Sequence, residues 1–246
     1  MSTHGVRRRP RIAKIVVLAS LLVAVSQVVW WTEPFVLFGV LEWMAPNIVW
    51  RVATTRPMVA LTFDDGPHPV YTPQVLALLA QHQAHATFFL IGERALAHPE
   101  LVRAIKAGGH EVGNHYFRNG TCLTDGESEF GSLLDRTEGA VGLSPPKLFR
   151  PPGGLAWPWQ LRLARERGYT CVLGSAYPHD PDRPPVRYIA WLIEKNLAPG
   201  AIVILHDGIA DPTRSIQALP RVLATGRRWG LSFVAVGTLL GEGQSG

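Results

Sequence analysis

Apolar and polar positions along the chain fall into two regimes. From Met58 onward, short apolar runs alternate with longer stretches in which apolar residues recur every three or four positions. The short runs, 59–63, 86–91, 111–115, 148–150, 170–174, 201–205 and 232–236, predict strands. The windows between them, 72–81, 99–107, 128–141, 157–167, 186–197 and 215–226, predict helices. Pro73 and Pro99 fall near helix starts, where a missing N–H costs little, and Gly108, Gly109 and Gly168 fall just past helix ends. Several of the short runs lack a clean polar alternate, as expected of strands covered by helices on both faces. Seven strands joined by helical crossovers predict an α/β fold with a parallel sheet, open or closed into an irregular (β/α) barrel. In such folds the chemistry gathers at the carboxyl ends of the strands.

Ahead of Met58 the pattern changes. Residues 15–31, IVVLASLLVAVSQVVWW, carry no charge and follow five cations, Arg7, Arg8, Arg9, Arg11 and Lys14. A bilayer core needs about 17 to 25 apolar residues, so this run reaches the lower limit of a transmembrane helix. Lys14 can snorkel at one end, and Trp30 and Trp31 suit the opposite interface. The cations keep residues 1–14 in the cytoplasm, which predicts a single-pass membrane protein whose remaining chain is extracytoplasmic. A cleaved signal peptide is the rival. Ala24-Val25-Ser26 is a possible cleavage site, but the chain stays apolar beyond it, which favours an uncleaved anchor. Residues 35–50 are also apolar but contain Gly39, Glu42 and Pro46, so they make a poor spanning helix. The 32–57 segment is therefore a connector, lying in the interface or packed on the 58–240 domain, and 241–246 form a tail.

Composition adjusts this picture in three places. The chain has 246 residues, enough for one large domain or two small ones. Hydrophobic residues make up 47% and charged residues only 17%, with a mean hydropathy of +0.10, which excludes intrinsic disorder. The net charge of +5 resides in the five cations that precede the first acidic residue, Glu33; without them basic and acidic residues balance at 19 each. A neutral body lacks the cationic excess that nucleic-acid binding requires, so no nucleic-acid partner is expected. The two cysteines, Cys122 and Cys171, exclude a cysteine-based zinc ribbon and a disulfide-dense scaffold; whether they pair is open.

The candidate chemistry lies where the strand-like runs end. Asp64-Asp65-Gly66-Pro67 follows the first run directly. Asp-Gly and Gly-Pro are common turn pairs, but a turn does not need two adjacent carboxylates behind a buried run; a cation or proton between them would justify both. His115 ends another run, His206-Asp207 a third, and Arg150, locked by Pro151-Pro152, a fourth. Asp, His and one further ligand suit a catalytic zinc with an open position, and a spare Asp and His suit acid–base work on metal-activated water. Of the nine histidines, His4, His82, His85 and His98 read as solvent-facing, and His68 and His110 as neighbours of motifs. In His179-Asp180 the aspartate is the stronger candidate. Trp43, Trp50 and Trp157 can stack on sugars, although packing or membrane anchoring is the commoner use of such residues.

These residues resemble those of the polysaccharide deacetylases, the NodB-homology carbohydrate esterases of family 4. Leu61-Thr62-Phe63-Asp64-Asp65-Gly66-Pro67 is similar to the family's first motif, and that match is highly specific. Ala86-Thr87-Phe88-Phe89, Gly109-His110-Glu111-Val112-Gly113-Asn114-His115, Phe149-Arg150-Pro151-Pro152-Gly153-Gly154 and Ile204-Leu205-His206-Asp207 follow in the family's order. The resemblance spans roughly residues 58–240. It implies a distorted (β/α) barrel that hydrolyses acetamides on N-acetylglucosamine-type glycans. On that analogy Asp64 is the general base, held ionised by Arg150, and Asp65 and His115 bind a divalent metal. His206 protonates the leaving amine, with Asp180 orienting it, and Leu205 walls a pocket for the acetyl methyl.

Three positions depart from the family pattern. Where the second motif has a further histidine four residues after His115, this chain has Asn119. The tyrosine expected after Arg-Pro-Pro is Gly153, whose backbone N–H can serve an oxyanion without a side chain. The Asp-Trp of the fourth motif is Asp180-Pro181. Asn119 reads either as half of an Asn-Gly turn or as a weak third ligand, placed beside His115 by a helical turn; the ligand reading is preferred. Zinc is the expected metal; because an amide oxygen is a harder donor than imidazole and would bind zinc less tightly, manganese or cobalt are the alternatives. The expected partners are an acetylated glycan and the membrane. The competing functional reading is a glycan-binding pseudoenzyme on the same barrel. An aspartate-nucleophile phosphatase fits poorly, since it needs a spacer between its two acids.

Overall fold

The computed structural model describes residues 9–32 and 35–243. The rest of the expected basic tail, Glu33 and the end of the 241–246 tail lie outside the described residues, as do the side chains of residues 9–18 and of Trp30. The chain runs α1 (Arg9–Thr32), α2 (Phe35–Met44), β1 (Ile48–Val49), β2 (Met58–Asp64), α3 (Tyr71–Gln81), β3 (Thr87–Leu90), α4 (Gly92–Ala97) and α5 (Pro99–Ala107). It continues through β4 (Glu111–Asn114), α6 (Glu127–Val141), β5 (Lys147–Phe149), α7 (Pro158–Glu166), β6 (Tyr169–Val172), α8 (Val186–Asn196), β7 (Ile202–His206), α9 (Thr213–Arg228), β8 (Ser232–Val234) and α10 (Val236–Gly243). All strand pairs are parallel, in the order β1-β6-β5-β4-β3-β2-β7, with β8 also on β2. The strands form a half-barrel wrapped by helices. Just beyond β6, Ser175 N–H donates to Ile202 O at 2.9 Å and Ala176 bridges Val203, which carries the chain from one edge of the sheet to the other.

Seven of the strands match the predicted runs to within a few residues. The eighth, β1, lies in the apolar connector, where Ile48 pairs Cys171 and Val49 pairs Val172. The connector therefore joins the sheet rather than only lying beside it. The run at residues 15–31 falls within α1. Among the described residues no helix is long and apolar enough to cross a membrane. Cys122 and Cys171 are both buried free thiols.

Alternation along the strands sorts the side chains into two layers. On β2, Val59, Leu61 and Phe63 point outward into a core shared with Val75 and Leu79 of α3 and Ala218, Leu219 and Val222 of α9. Phe63 stacks on Phe88 there at 5.1 Å between ring centroids. Ala60 points the other way, into an inner cluster with Phe89, Leu148, Val172 and Ile202. With a period of two, Thr62 and Asp64 share the inner face with Ala60, so the polar end of the strand opens into the barrel mouth.

His110 belongs to the structure rather than to the site. Its Nδ1 accepts the Ala86 N–H at 3.3 Å, and its ring lies edge-on to Phe88 at 5.5 Å. Burial, with a small contribution from His85, pulls it from 6.5 down to about 4. Because the folded pKa is depressed, the unfolded chain takes up the proton first as pH falls. Stability should decline as pH drops from 6.5 through about 4. His110→Asn, which can accept from Ala86 without titrating, should flatten that slope in denaturation midpoints measured across the range.

Candidate active site

Four strand ends converge in the barrel mouth. Asp64 closes β2 and His206 closes β7, and the two are direct register partners on adjacent strands. Arg150 lies just past β5 and His115 just past β4. All four side chains are buried or nearly so.

Arg150 is wholly interior. Its Nη1 reaches Asp64 Oδ1 at 2.6 Å and Thr62 Oγ1 at 2.7 Å; Nε and Nη2 donate to the carbonyls of Val172 and Leu173 at 3.0 and 2.9 Å. The guanidinium lies 4.1 Å over the Phe89 ring. This many fixed acceptors hold the cation in one orientation, and Asp64 with it.

His206 is built as a second unit. Its Nδ1 stands 2.9 Å from Asp180 Oδ1, while Asp180 Oδ2 accepts the His206 backbone N–H at 3.0 Å and the Ser215 hydroxyl at 2.7 Å. His179, in the left-handed region at φ +53°, turns the loop that delivers Asp180. Burial disfavours the imidazolium. The Asp180 charge and hydrogen bond outweigh it, helped by Asp64 and Asp65, and lift His206 to about 9.

Asp65 and His115 form the third unit. Asp65 takes φ +67°, in the left-handed region, and Arg94 of α4 fixes the turn by donating to the Asp65 carbonyl at 2.6 Å and to the Gly208 carbonyl. His115 Nδ1 is 2.9 Å from the Arg150 carbonyl, which can only accept, so Nδ1 carries a proton. Its Nε2 then faces Asp65 Oδ1 at 3.3 Å. Burial raises the Asp65 carboxyl, but His115, His206 and Arg94 together bring it down to about 2. A carboxylate and an imidazole lone pair this close need a proton or a cation between them, and an imidazole oriented through its other nitrogen by a carbonyl is the usual second contact of a metal ligand. The pair fits a divalent metal by two donors. Among the described residues no third His, Cys, Asp or Glu joins them.

Three expected positions need correction or qualification. Asn119 was to lie one helical turn from His115, but the segment is not helical. Tyr116 sits at φ +70° with its ring buried and its hydroxyl on Asp125 at 2.5 Å, which turns the chain outward. Asn119 ends up exposed, its backbone N–H on Glu93 at 3.2 Å, so the geometry behind a ligand role is gone. Leu205 points into the outer core with Val203, Leu61 and Phe63, away from His206; strand alternation puts Ile204 on the His206 face instead. Gly153 is exposed at φ +63° in the short turn after Pro151-Pro152, and a Cβ there would meet open space. That leaves its backbone accessible at the rim.

Asp207 directly follows His206 in the Ile204-Leu205-His206-Asp207 motif. It is fully buried, Thr72 donates its hydroxyl to Oδ2, and Oδ1 has no partner. Burial and the charges of Asp65 and Asp64 push it up to about 7, against the opposing Thr72 bond. A Cβ on Gly66 would come within 2.6 Å of Asp207 Oδ1, so the carboxyl packs directly beneath the Asp65-Gly66 turn, and only glycine leaves room for it.

The sequence profile described as "Polysaccharide deacetylase" matches residues 51–172. A peptidoglycan-N-acetylglucosamine deacetylase of Bacillus cereus is 40% identical over 197 residues, covering 78% of this chain and 92% of that protein. The chain belongs to the polysaccharide deacetylase family. A chitooligosaccharide deacetylase of Sinorhizobium fredii is 36% identical over 162 residues, 64% of this chain and 75% of that one. Among solved structures, a peptidoglycan N-acetylglucosamine deacetylase bound to 4-naphthalen-1-yl-N-oxidanyl-benzamide superposes with a TM-score of 0.76 at 29% identity, covering 85% of this chain and 97% of that one. Polysaccharide deacetylases are hydrolases of N-acetyl amides, and this member of the family is such an enzyme.

Proposed function

We propose that this deacetylase removes acetyl groups from N-acetylglucosamine units of an extracytoplasmic glycan, using a divalent metal, while held to the membrane by α1. The observation that carries the reading is the pairing of Asp64 and His206 on adjacent strands, each oriented by a buried partner of opposite charge. Water bound between them gives a proton to Asp64 and attacks the acetamide carbon. The resulting tetrahedral oxyanion collapses, the C–N bond breaks, and His206 delivers a proton to the departing amine, leaving acetate and a free amino sugar. Arg150 keeps Asp64 aimed, and Asp180 holds the imidazole by Nδ1 so that Nε2 is the proton-bearing edge toward substrate. Ile204 lies on the face from which an acetyl methyl would be contacted, and the Gly153 N–H is the candidate oxyanion donor.

Asp65 and His115 would hold the metal, which supplies Lewis-acid polarisation of the water and amide carbonyl when bound. Zinc is the first candidate, with manganese or cobalt next. Equilibrium dialysis against zinc should show loss of binding in Asp65→Asn and His115→Ala and unchanged affinity in Asn119→Ala. A tenfold weaker Asn119→Ala would return that residue to the metal shell. Chelation of the wild type should abolish acetate release. A second reading, a glycan-binding pseudoenzyme, draws support from the exposed position of Asn119, and it predicts glycan binding with no acetate released.

The anchor reading is supported by the charge-free run at residues 15–31 and by the exposure of Leu21, Leu22, Val23, Val25 and Val28, which α1 leaves unpacked against the domain. Full-length protein should stay with membranes through a high-salt wash. A mature N-terminus at Gln27 would replace the anchor with a signal peptide.

A further inference from the structure

Trp157 stands at the rim of the mouth, seven residues beyond Arg150 on the loop that also holds Gly153, and is 52% exposed beside Leu155 at 61%. An indole left half in water usually moves freely, yet this one is pinned from both ends. Its backbone N–H donates to Gln160 Oε1 at 2.9 Å, and its ring Nε1–H donates to the Leu123 carbonyl at 3.0 Å. Gln160, fully buried, donates in turn to the Cys122 carbonyl at 2.5 Å, and Cys122 Sγ lies 3.6 Å from the Leu155 carbonyl. The loop after His115 and the loop after Arg150 are thereby stapled together at Trp157. With the N–H edge already satisfied, a ring face is what remains to offer.

We infer that Trp157 is a stacking platform for a second pyranose ring of the glycan, next to the sugar being deacetylated. A pyranose presents an apolar face of C–H groups with hydroxyls at its edge, which suits a flat, rigid, partly hydrated indole; the fixed mount means little conformational freedom is lost on binding. The inference rests on the deacetylase reading for the identity of the glycan, but it can be tested by binding alone.

The competing explanation is that the indole serves only as the staple. Two substitutions in the full-length protein separate these. Trp157→Phe keeps a ring face and loses the N–H donor; Trp157→Gln keeps an N–H donor and loses the face. Affinity for a hexamer of N-acetylglucosamine and for the free monosaccharide is measured by calorimetry, alongside KM and kcat for acetate release. A platform predicts that Trp157→Gln weakens hexamer binding about tenfold and raises KM to match, with kcat and melting temperature retained. Monosaccharide affinity stays unchanged, and Trp157→Phe stays within about twofold of wild type. If Trp157→Gln behaves as wild type, or Trp157→Phe is the weaker variant, the platform is wrong. Wild type that binds hexamer with a Trp157 dependence yet releases no acetate keeps the platform and refutes the deacetylase reading.

Discussion

Asp64→Asn should reduce turnover by about 10²-fold or more, the scale of a lost general base, while the protein still folds and still binds glycan. The substitution is nearly isosteric, and its amide oxygen can still accept from Arg150 Nη1, which now stands 2.6 Å from Asp64 Oδ1. What disappears is the capacity to take a proton from water. Asp64→Ala is a different experiment. Both variants leave the guanidinium, 1% exposed, without its counter-charge, but Asp64→Ala also removes the acceptor that Arg150 Nη1 donates to, and breaking a buried ion pair outright costs about 3–5 kcal/mol. Melting curves should therefore separate the two variants, with Asp64→Asn, which keeps the hydrogen bond, below wild type and Asp64→Ala, which keeps neither charge nor acceptor, lower still. Near-wild-type turnover in Asp64→Asn would remove Asp64 from the mechanism.

His206→Ala should likewise cost about 10²-fold or more in kcat, since the amine would leave unprotonated. The buried carboxylate of Asp180 also makes a pH prediction. A general acid works in its protonated form, so activity should fall as pH rises through the pKa of His206, which lies raised at about 9. Asp180→Asn takes away the charge that raises it, and the alkaline limb of the kcat profile should move to lower pH, with kcat reduced even at its optimum. Ser215→Ala removes one hydrogen bond from Asp180 Oδ2 and leaves the charge, so its limb should stay closer to wild type. An alkaline limb that does not move in Asp180→Asn would show that some other group sets it.

Most of the strand positions were legible because alternation and turn residues mark them locally, and the ionisable groups at their ends stand out against apolar runs. The face each residue takes was also readable. Counting back two from His206 gives Ile204, whereas the motif reading chose Leu205, which alternation sends to the helices. Other features had no local signal. Strand β1 is two residues long inside an apolar connector, and only its pairing with β6, more than a hundred residues away, makes it a strand. Helix α4 has six residues, too few for a periodicity, so the approach of Arg94 to Asp65 was invisible. The left-handed turn at Tyr116, which carries Asn119 away from a helical path, is held by Asp125 on its hydroxyl, by the Asn114 side-chain oxygen on its N–H and by the Gly92 N–H on its carbonyl; nothing in a tyrosine's own preferences announces it. Asp207 was visible as a carboxylate, but its burial beneath Gly66 depends on the β7–β2 register.

The central claim is that the Asp64 and His206 units together hydrolyse an acetamide on a glycan. Acetate released from an N-acetylglucosamine hexamer, measured for wild type and Asp64→Asn at equal glycan occupancy, tests it most directly. The account predicts steady release of acetate by wild type and a rate lower by about 10²-fold or more in Asp64→Asn. Hexamer bound by both proteins with no acetate from either would contradict it.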